Sequence, residues 1–128
     1  MSDLRGTILV VEDDQDVRET ILDSLRDEGF TAIPAADGKI ALRMLRDSPS
    51  PPALILLDLM MPGMSGAEFR VAQLGDPRLA EVPVAVISAV SNLDERVAGI
   101  QPTAFLRKPL KLQALLDLAE RFTKPTGR

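Results

Sequence analysis

Apolar residues fall along this chain in two rhythms. Thr7-Ile8-Leu9-Val10-Val11, Ala53-Leu54-Ile55-Leu56-Leu57, Val82-Pro83-Val84-Ala85-Val86-Ile87 and Ala104-Phe105-Leu106 are short runs, apolar at nearly every position. Runs of this length, bounded by turn residues, read as strands of a parallel sheet buried on both faces. Between them the apolar positions recur every three or four residues, as on one face of a helix. The first helix is expected over Asp16–Glu28, with Val17, Ile21, Leu22 and Leu25 on one face, its acids and arginines in water, and Gly29 as its stop. Thr31–Ala35 is a weaker strand, and Pro34, which cannot donate to a ladder, places it at the sheet edge.

Asp37–Arg46 supplies the second helix, and Ser65 with Glu68 forms a capping-box pattern opening a third through Phe69, Val71, Ala72 and Leu74. Asn92 with Glu95 repeats that pattern for a short fourth helix ending near Gly99. The last helix, Lys111–Phe122, carries Leu112, Leu115, Leu116, Ala119 and Phe122 in one stripe, and Leu118 beside it is expected to be exposed. Strand and helix thus alternate about five times, which predicts an α/β fold with a doubly wound, five-stranded parallel sheet flanked by five helices.

Residues 1–128 read as a single domain with its core over about 7–122, short tails at 1–6 and 123–128, and no output domain. No repeat of solenoid length is visible. A composition 45% hydrophobic suffices for a real core, and a net charge of −4 without a basic stripe argues against direct nucleic-acid binding. No apolar stretch approaches the ~20 residues of a membrane span, and the first residues lack the apolar centre of a signal peptide, so a cytoplasmic protein is expected. The chain has no cysteine and no histidine. Thiol chemistry, a phosphohistidine carrier and a histidine base are excluded, and a metal could take only oxygen ligands, which favours Mg²⁺, Mn²⁺ or Ca²⁺.

The chemistry sits where the strands end. The first runs into Glu12, Asp13 and Asp14, the third into Asp58, the fourth into Ser88 and the fifth, after Arg107, into Lys108 and Pro109. Parallel sheets bind ligands beyond the carboxyl ends of their strands, so these residues should converge. Two carboxylates about 4 Å apart repel by roughly 4 kcal/mol at an effective dielectric of 20, so three of them call for a cation. Mg²⁺ suits an all-oxygen site with room for water and phosphate. With that cation present an aspartate can attack phosphorus, Lys108 supplies a second positive charge and Ser88 a hydroxyl. Singly each residue has a plainer reading: Asp13 or Asp14 as a helix cap, Asp58 as a strand end, Ser88 as a turn hydroxyl, Lys108 as a surface charge. Their conjunction favours the chemistry, with Asp14 left as the cap.

In order and spacing, Ile8-Leu9-Val10-Val11-Glu12-Asp13-Asp14, Leu57-Asp58-Leu59-Met60-Met61-Pro62-Gly63-Met64-Ser65-Gly66, Pro83-Val84-Ala85-Val86-Ile87-Ser88-Ala89 and Phe105-Leu106-Arg107-Lys108-Pro109 match one family. The chain resembles the receiver domain of two-component response regulators from about Thr7 to Phe122. The resemblance implies a flavodoxin-like sheet of order 2-1-3-4-5, with Asp58 as phosphoacceptor and Mg²⁺ held by Glu12, Asp13, Asp58 and the backbone carbonyl of Met60. Asp13 is preferred over Glu12 as the direct ligand. Ser88 and Lys108 would contact the phosphoryl group, Ser88 and Phe105 would form the switch, and the Lys108–Pro109 bond is often cis in the family.

Further implications concern partners and lifetime. A sensor histidine kinase or a histidine phosphotransfer protein would donate the phosphoryl group, and a downstream protein would read the face of the fourth helix, fifth strand and fifth helix. The domain would be a monomer or a weak, phosphorylation-dependent dimer, a signalling phosphoacceptor rather than an enzyme. Driving such a switch from 1:99 to 99:1 takes about 5.5 kcal/mol. Met60 and Val90, two residues beyond Asp58 and Ser88, are apolar and cannot orient water, which implies slow self-dephosphorylation. The fourth helix and its loop look about two residues shorter than usual in the family, and Gln101-Pro102 replaces a common Gly-Ala pair. Two other functional classes fit the residues less well. A phosphate-independent adaptor would have no need of the intact acid set, Ser88 and Lys108. A Mg²⁺-dependent hydrolase with an aspartate nucleophile would want an acid where Met60 stands.

Overall fold

The computed structural model describes residues 3–59, 61, 63–89 and 102–125. Five strands, β1 (Ile8–Val11), β2 (Ala32–Ala35), β3 (Leu54–Asp58), β4 (Val84–Ser88) and β5 (Ala104–Arg107), form one parallel sheet. Its order is β2-β1-β3-β4-β5, as expected. Four helices are found among the described residues: α1 (Gln15–Asp27), α2 (Gly38–Asp47), α3 (Gly66–Leu74) and α4 (Leu112–Phe122). The fourth helix expected over 92–99 lies outside the described residues, as do Met60, Val90 and Gln101.

Alternation along the strands divides the core into two layers, because successive side chains of a strand face opposite ways. Leu9, Val11, Ile55, Leu57, Val84 and Val86 pack with Leu42, Leu45 and Phe69 of α2 and α3. Ile8, Val10, Leu54, Leu56, Ala85 and Ile87 pack with Ile21, Leu22 and Leu25 of α1 and Leu115, Leu116 and Leu118 of α4. The sheet is therefore covered on both faces, which is why its strands need no polar alternation. Pro34 lies on the edge strand β2, opposite Val10.

Local signals set the helix ends. The Asp14 side chain accepts from the Val17 N–H at 3.1 Å and Asp37 accepts from the Ile40 N–H at 2.8 Å, satisfying donors that the first turn leaves unpaired. Ser65 and Glu68 form the full capping box of α3. Gly29 has φ +90°, the left-handed conformation that ends α1 at low cost.

Two expectations fail in detail, for Leu118 and Leu4, and α3 adds a burial pattern that its spacing does not specify. Leu118 is buried because α4 turns a broader stripe, Leu115, Leu116, Leu118 and Ala119, toward α1 and the sheet than its i, i+4 positions suggest, while Leu112, the first residue of the helix, is exposed. On α3, Val71 and Leu74 face solvent, while Arg70 and Gln73 are buried beside Phe69. Gln73 is accommodated because its amide donates to the carbonyls of Leu79 (2.8 Å) and Val82 (3.1 Å) and its oxygen accepts from Arg70 Nη1 (2.8 Å). Leu4, assigned to the N-terminal tail, is buried, and its N–H donates to Ser48 Oγ at 3.0 Å.

Candidate functional site at the carboxyl edge of the sheet

The register assembles the site. Val11 pairs with Leu57, so the next residues, Glu12 and Asp58, sit side by side at the ends of β1 and β3. Asp58 pairs with Ile87 and Ser88 with Arg107, which brings the ends of β4 and β5 to the same edge. The Lys108 N–H donates to the Ser88 carbonyl at 2.9 Å, extending that ladder by one residue.

Glu12, Asp58 and Ser88 are buried, Asp13 is exposed, and Lys108 is half-buried. Carboxylate oxygens of Glu12, Asp13 and Asp58 lie within 4.8 Å of one another. Lys108 Nζ stands 2.9 Å from Glu12 Oε1 and 3.7 Å from Asp58 Oδ1. Burial pulls the Lys108 pKa down, but the Glu12 contact and the charges of Asp58, Glu12 and Asp13 outweigh it, so the ammonium titrates above its ordinary range. One ammonium still faces three carboxylates.

Two glycines shape the loop after Asp58. A Cβ on Gly66 would sit 3.2 Å from Leu59 Cα and 3.3 Å from Leu59 O, and the Gly66 N–H donates to that same carbonyl at 3.3 Å. Gly63 has φ +80°, which a residue with a Cβ adopts only with strain. With Leu59 N–H bonded to Ile87 O at 3.1 Å, the chain leaving Asp58 is held at both ends. Met61 is buried in the core and Met64 packs against it.

Other expected site residues have simpler surroundings. Phe105 is 37% exposed, on the sheet face of Val86, while Ala104 and Leu106 turn to the opposite layer. The Lys108–Pro109 peptide is cis. Beside it, an apolar groove of about 300 Å³ runs between Val17, Thr20 and Ile21 of α1 and the Lys108-Pro109-Leu110 segment. The backbone carbonyl of Met60 lies outside the described residues. Among the described residues no helix is long and apolar enough to cross a membrane.

Carboxylates converging at one sheet edge with a lysine are the pattern that the sequence resemblance anticipates, and comparison with known proteins gives it a family. Residues 8–120 match the family model of the response regulator receiver domain. The chain belongs to that family. The response regulator MprA of Mycobacterium ulcerans is 42% identical over 113 residues, covering 85% of this chain and 46% of that protein. The chain thus spans about half the length of the curated relatives it matches. Among solved structures, the Vibrio cholerae chemotaxis protein CheY4 superposes with a TM-score of 0.81 at 25% identity, over 92% of this chain and 98% of that one. The receiver domain of a signal transduction histidine kinase from Syntrophus aciditrophicus gives 0.82 at 28% identity, over 91% and 89%.

Receiver domains are signalling phosphoacceptors of two-component systems, and they bind Mg²⁺ at an acidic pocket. The residues of this chain fit that ion. The three clustered carboxylates are hard oxygen donors, two of them are buried, and Lys108 leaves a net negative charge that a divalent cation would neutralise. The residue that sequence reasoning missed is Arg18. Its Nη1 donates to the carbonyls of Glu12 (2.9 Å) and Asp13 (3.4 Å), and nothing in the spacing of Arg18 separates it from Arg26, the other arginine of α1, which donates to Ala32 O.

Proposed function

We propose that Asp58 accepts a phosphoryl group from a phosphohistidine on a sensor histidine kinase or a histidine phosphotransfer protein. The observation that carries this reading is the grouping of Asp58 with Glu12, Asp13 and Lys108 at one end of the sheet. Glu12, Asp13 and Asp58 would hold Mg²⁺, which when bound screens the repulsion between carboxylate and phosphoryl oxygens.

An Asp58 carboxylate oxygen attacks phosphorus, the bond from phosphorus to the donor imidazole nitrogen breaks, and the imidazole leaves with the bonding pair. Lys108, already 3.7 Å from Asp58, moves little to meet the incoming oxygens. The Ser88 hydroxyl, at the end of the neighbouring strand β4, donates to one of them. The groove between α1 and Pro109 gives the donor protein an apolar rest beside the site.

Phosphorylation is read out by population shift. Drawing Ser88 toward the phosphoryl group makes room for Phe105 to turn inward from its exposed position, changing the face that a downstream protein meets. The described part of that face is β5 and the start of α4, where Leu112 is exposed. The domain works as a monomer or a weak dimer in the cytoplasm. Apolar side chains at Met60 and Val90 leave water unguided, so the phosphoryl group is long-lived. Met60→Asn with Val90→Glu should speed its loss about tenfold, a change of ~1.4 kcal/mol in the barrier, and an unaltered rate would remove that idea.

The deciding experiment is incubation with Mg²⁺ and acetyl phosphate, followed by intact-mass analysis of wild type and Asp58→Asn. One phosphoryl group on the wild type alone is the expected result. Labelling of both proteins would reject Asp58, and labelling of neither would reject phosphoacceptance in favour of a phosphate-independent adaptor.

A further inference from the structure

We infer that Arg18 is a positioning residue that holds the Glu12–Asp13 backbone in the geometry a divalent cation requires. The inference rests on the Mg²⁺ role proposed above. Glu12 is fixed in three ways besides Arg18. Its N–H donates to Ala35 O at 3.2 Å, its Oε2 accepts from the Asp14 N–H at 3.3 Å, and its Oε1 meets Lys108. Its carbonyl belongs to the first peptide beyond the β1 ladder, and that carbonyl is what Arg18 Nη1 takes at 2.9 Å. The same nitrogen reaches the Asp13 carbonyl at 3.4 Å.

The helix makes this possible. Asp14 caps α1 through Val17 and accepts the Arg18 N–H at 2.9 Å, so the first turn is rigidly joined to the acid loop. Long helical side chains run back toward the helix N-terminus, which sends the Arg18 guanidinium over the loop instead of out to water. Asp13 is exposed and has little packing of its own to fix it. Mg²⁺ tolerates little departure from octahedral geometry, so a loop free to shift would bind it less well.

Charge and position make opposite predictions, which gives the test a sign. If Arg18 acted only as a nearby positive charge, removing it would tighten cation binding. If it positions the loop, removing it loosens binding. Because a single nitrogen serves both carbonyls, a lysine can replace it.

Mg²⁺ is titrated calorimetrically into the full chain as wild type, Arg18→Met, which keeps the apolar stem, and Arg18→Lys. The expected result is a Kd raised about tenfold by Arg18→Met and within about twofold of wild type for Arg18→Lys, the range for residues that orient metal ligands. Acetyl phosphate labelling of Arg18→Met should match wild type once Mg²⁺ is saturating and fall behind below saturation. An equal or lower Kd in Arg18→Met, or an Arg18→Lys as weak as Arg18→Met, would overturn the inference while leaving the receiver chemistry intact. Wild type that binds no Mg²⁺ would remove the proposed function and this inference together. Circular dichroism checks folding, and Arg18→Gln serves the same comparison should Arg18→Met fail to fold.

Discussion

The two ends of the sheet treat buried polar groups in opposite ways. At the amino end the buried side chains of Ser48 and Gln73 pair with neutral backbone groups and with an arginine donor. Ser48 Oγ accepts from Leu4 N–H and donates to Ser50 O, Arg78 Nη2 donates to Ser48 O at 2.6 Å, and Gln73 bridges Leu79 and Val82. At the carboxyl end, buried Glu12 and Asp58 stand within 4.8 Å of each other and of Asp13, with the Lys108 ammonium set against their mutual repulsion. One end closes the loops α2–β3 and α3–β4 and stabilises the fold. The other keeps unbalanced charge, which costs stability and supplies the attraction for a cation.

The largest break in that contrast is Asp58→Asn. Phosphoryl labelling should vanish, and without Mg²⁺ the protein should become more stable by about 1–2 kcal/mol, because one of three mutually repelling charges is gone. Thermal unfolding in a chelator measures this. A fall in stability would mean that the Lys108–Asp58 attraction outweighs the repulsion, and the carboxyl end would then be no more strained than the other.

Gln73→Leu probes the opposite end. It leaves the carbonyls of Leu79 and Val82 and the Arg70 guanidinium short of a partner in a buried setting. The expected loss is about 2–4 kcal/mol of unfolding free energy, read by urea denaturation, with Mg²⁺ affinity unchanged. A large change in affinity would show that the two ends are coupled through β4.

The sequence reveals the carboxyl end better than the amino end, for a physical reason. Strand-end acids, a hydroxyl and a lysine follow apolar runs directly, so their convergence needs only the rule that parallel strands share one carboxyl edge. Asp14 and Ser65 are equally visible, since capping is a local interaction. Gln73 and Arg70 are invisible because their burial depends on where the α3–β4 loop offers carbonyls. Arg18 is hidden for the same reason: its partners are backbone atoms of another segment. Leu118 shows that a stripe read at i and i+4 underestimates how much of a helix the sheet and its neighbouring helix cover.

Lys108 separates attraction from repulsion at the carboxyl end with a smaller effect. Lys108→Met removes the ammonium that competes for Glu12, so Mg²⁺ should bind roughly threefold to tenfold tighter, while labelling slows because a phosphoryl contact is lost. The folded pKa of Lys108 lies above its ordinary 10.5. Its ion-pair contribution is therefore complete below that ordinary value and is lost as pH rises through the folded one. Wild type should lose stability more steeply than Lys108→Met above about pH 10.5. Parallel alkaline unfolding curves would show that the contact contributes nothing.

The smallest expected effect tests whether α3 faces the way the structure shows. Val71 is 72% exposed, whereas Phe69, two residues earlier, is fully buried. Val71→Lys should change unfolding free energy by no more than about 0.5 kcal/mol, the range for surface sites, while Phe69→Ala should cost about 3–5 kcal/mol. A heavy loss from Val71→Lys would mean that α3 packs its Val71 side and not the side the structure shows. It would also place Gln73 in solvent, and then the satisfied polar network that sets the amino end apart from the charged one would not exist.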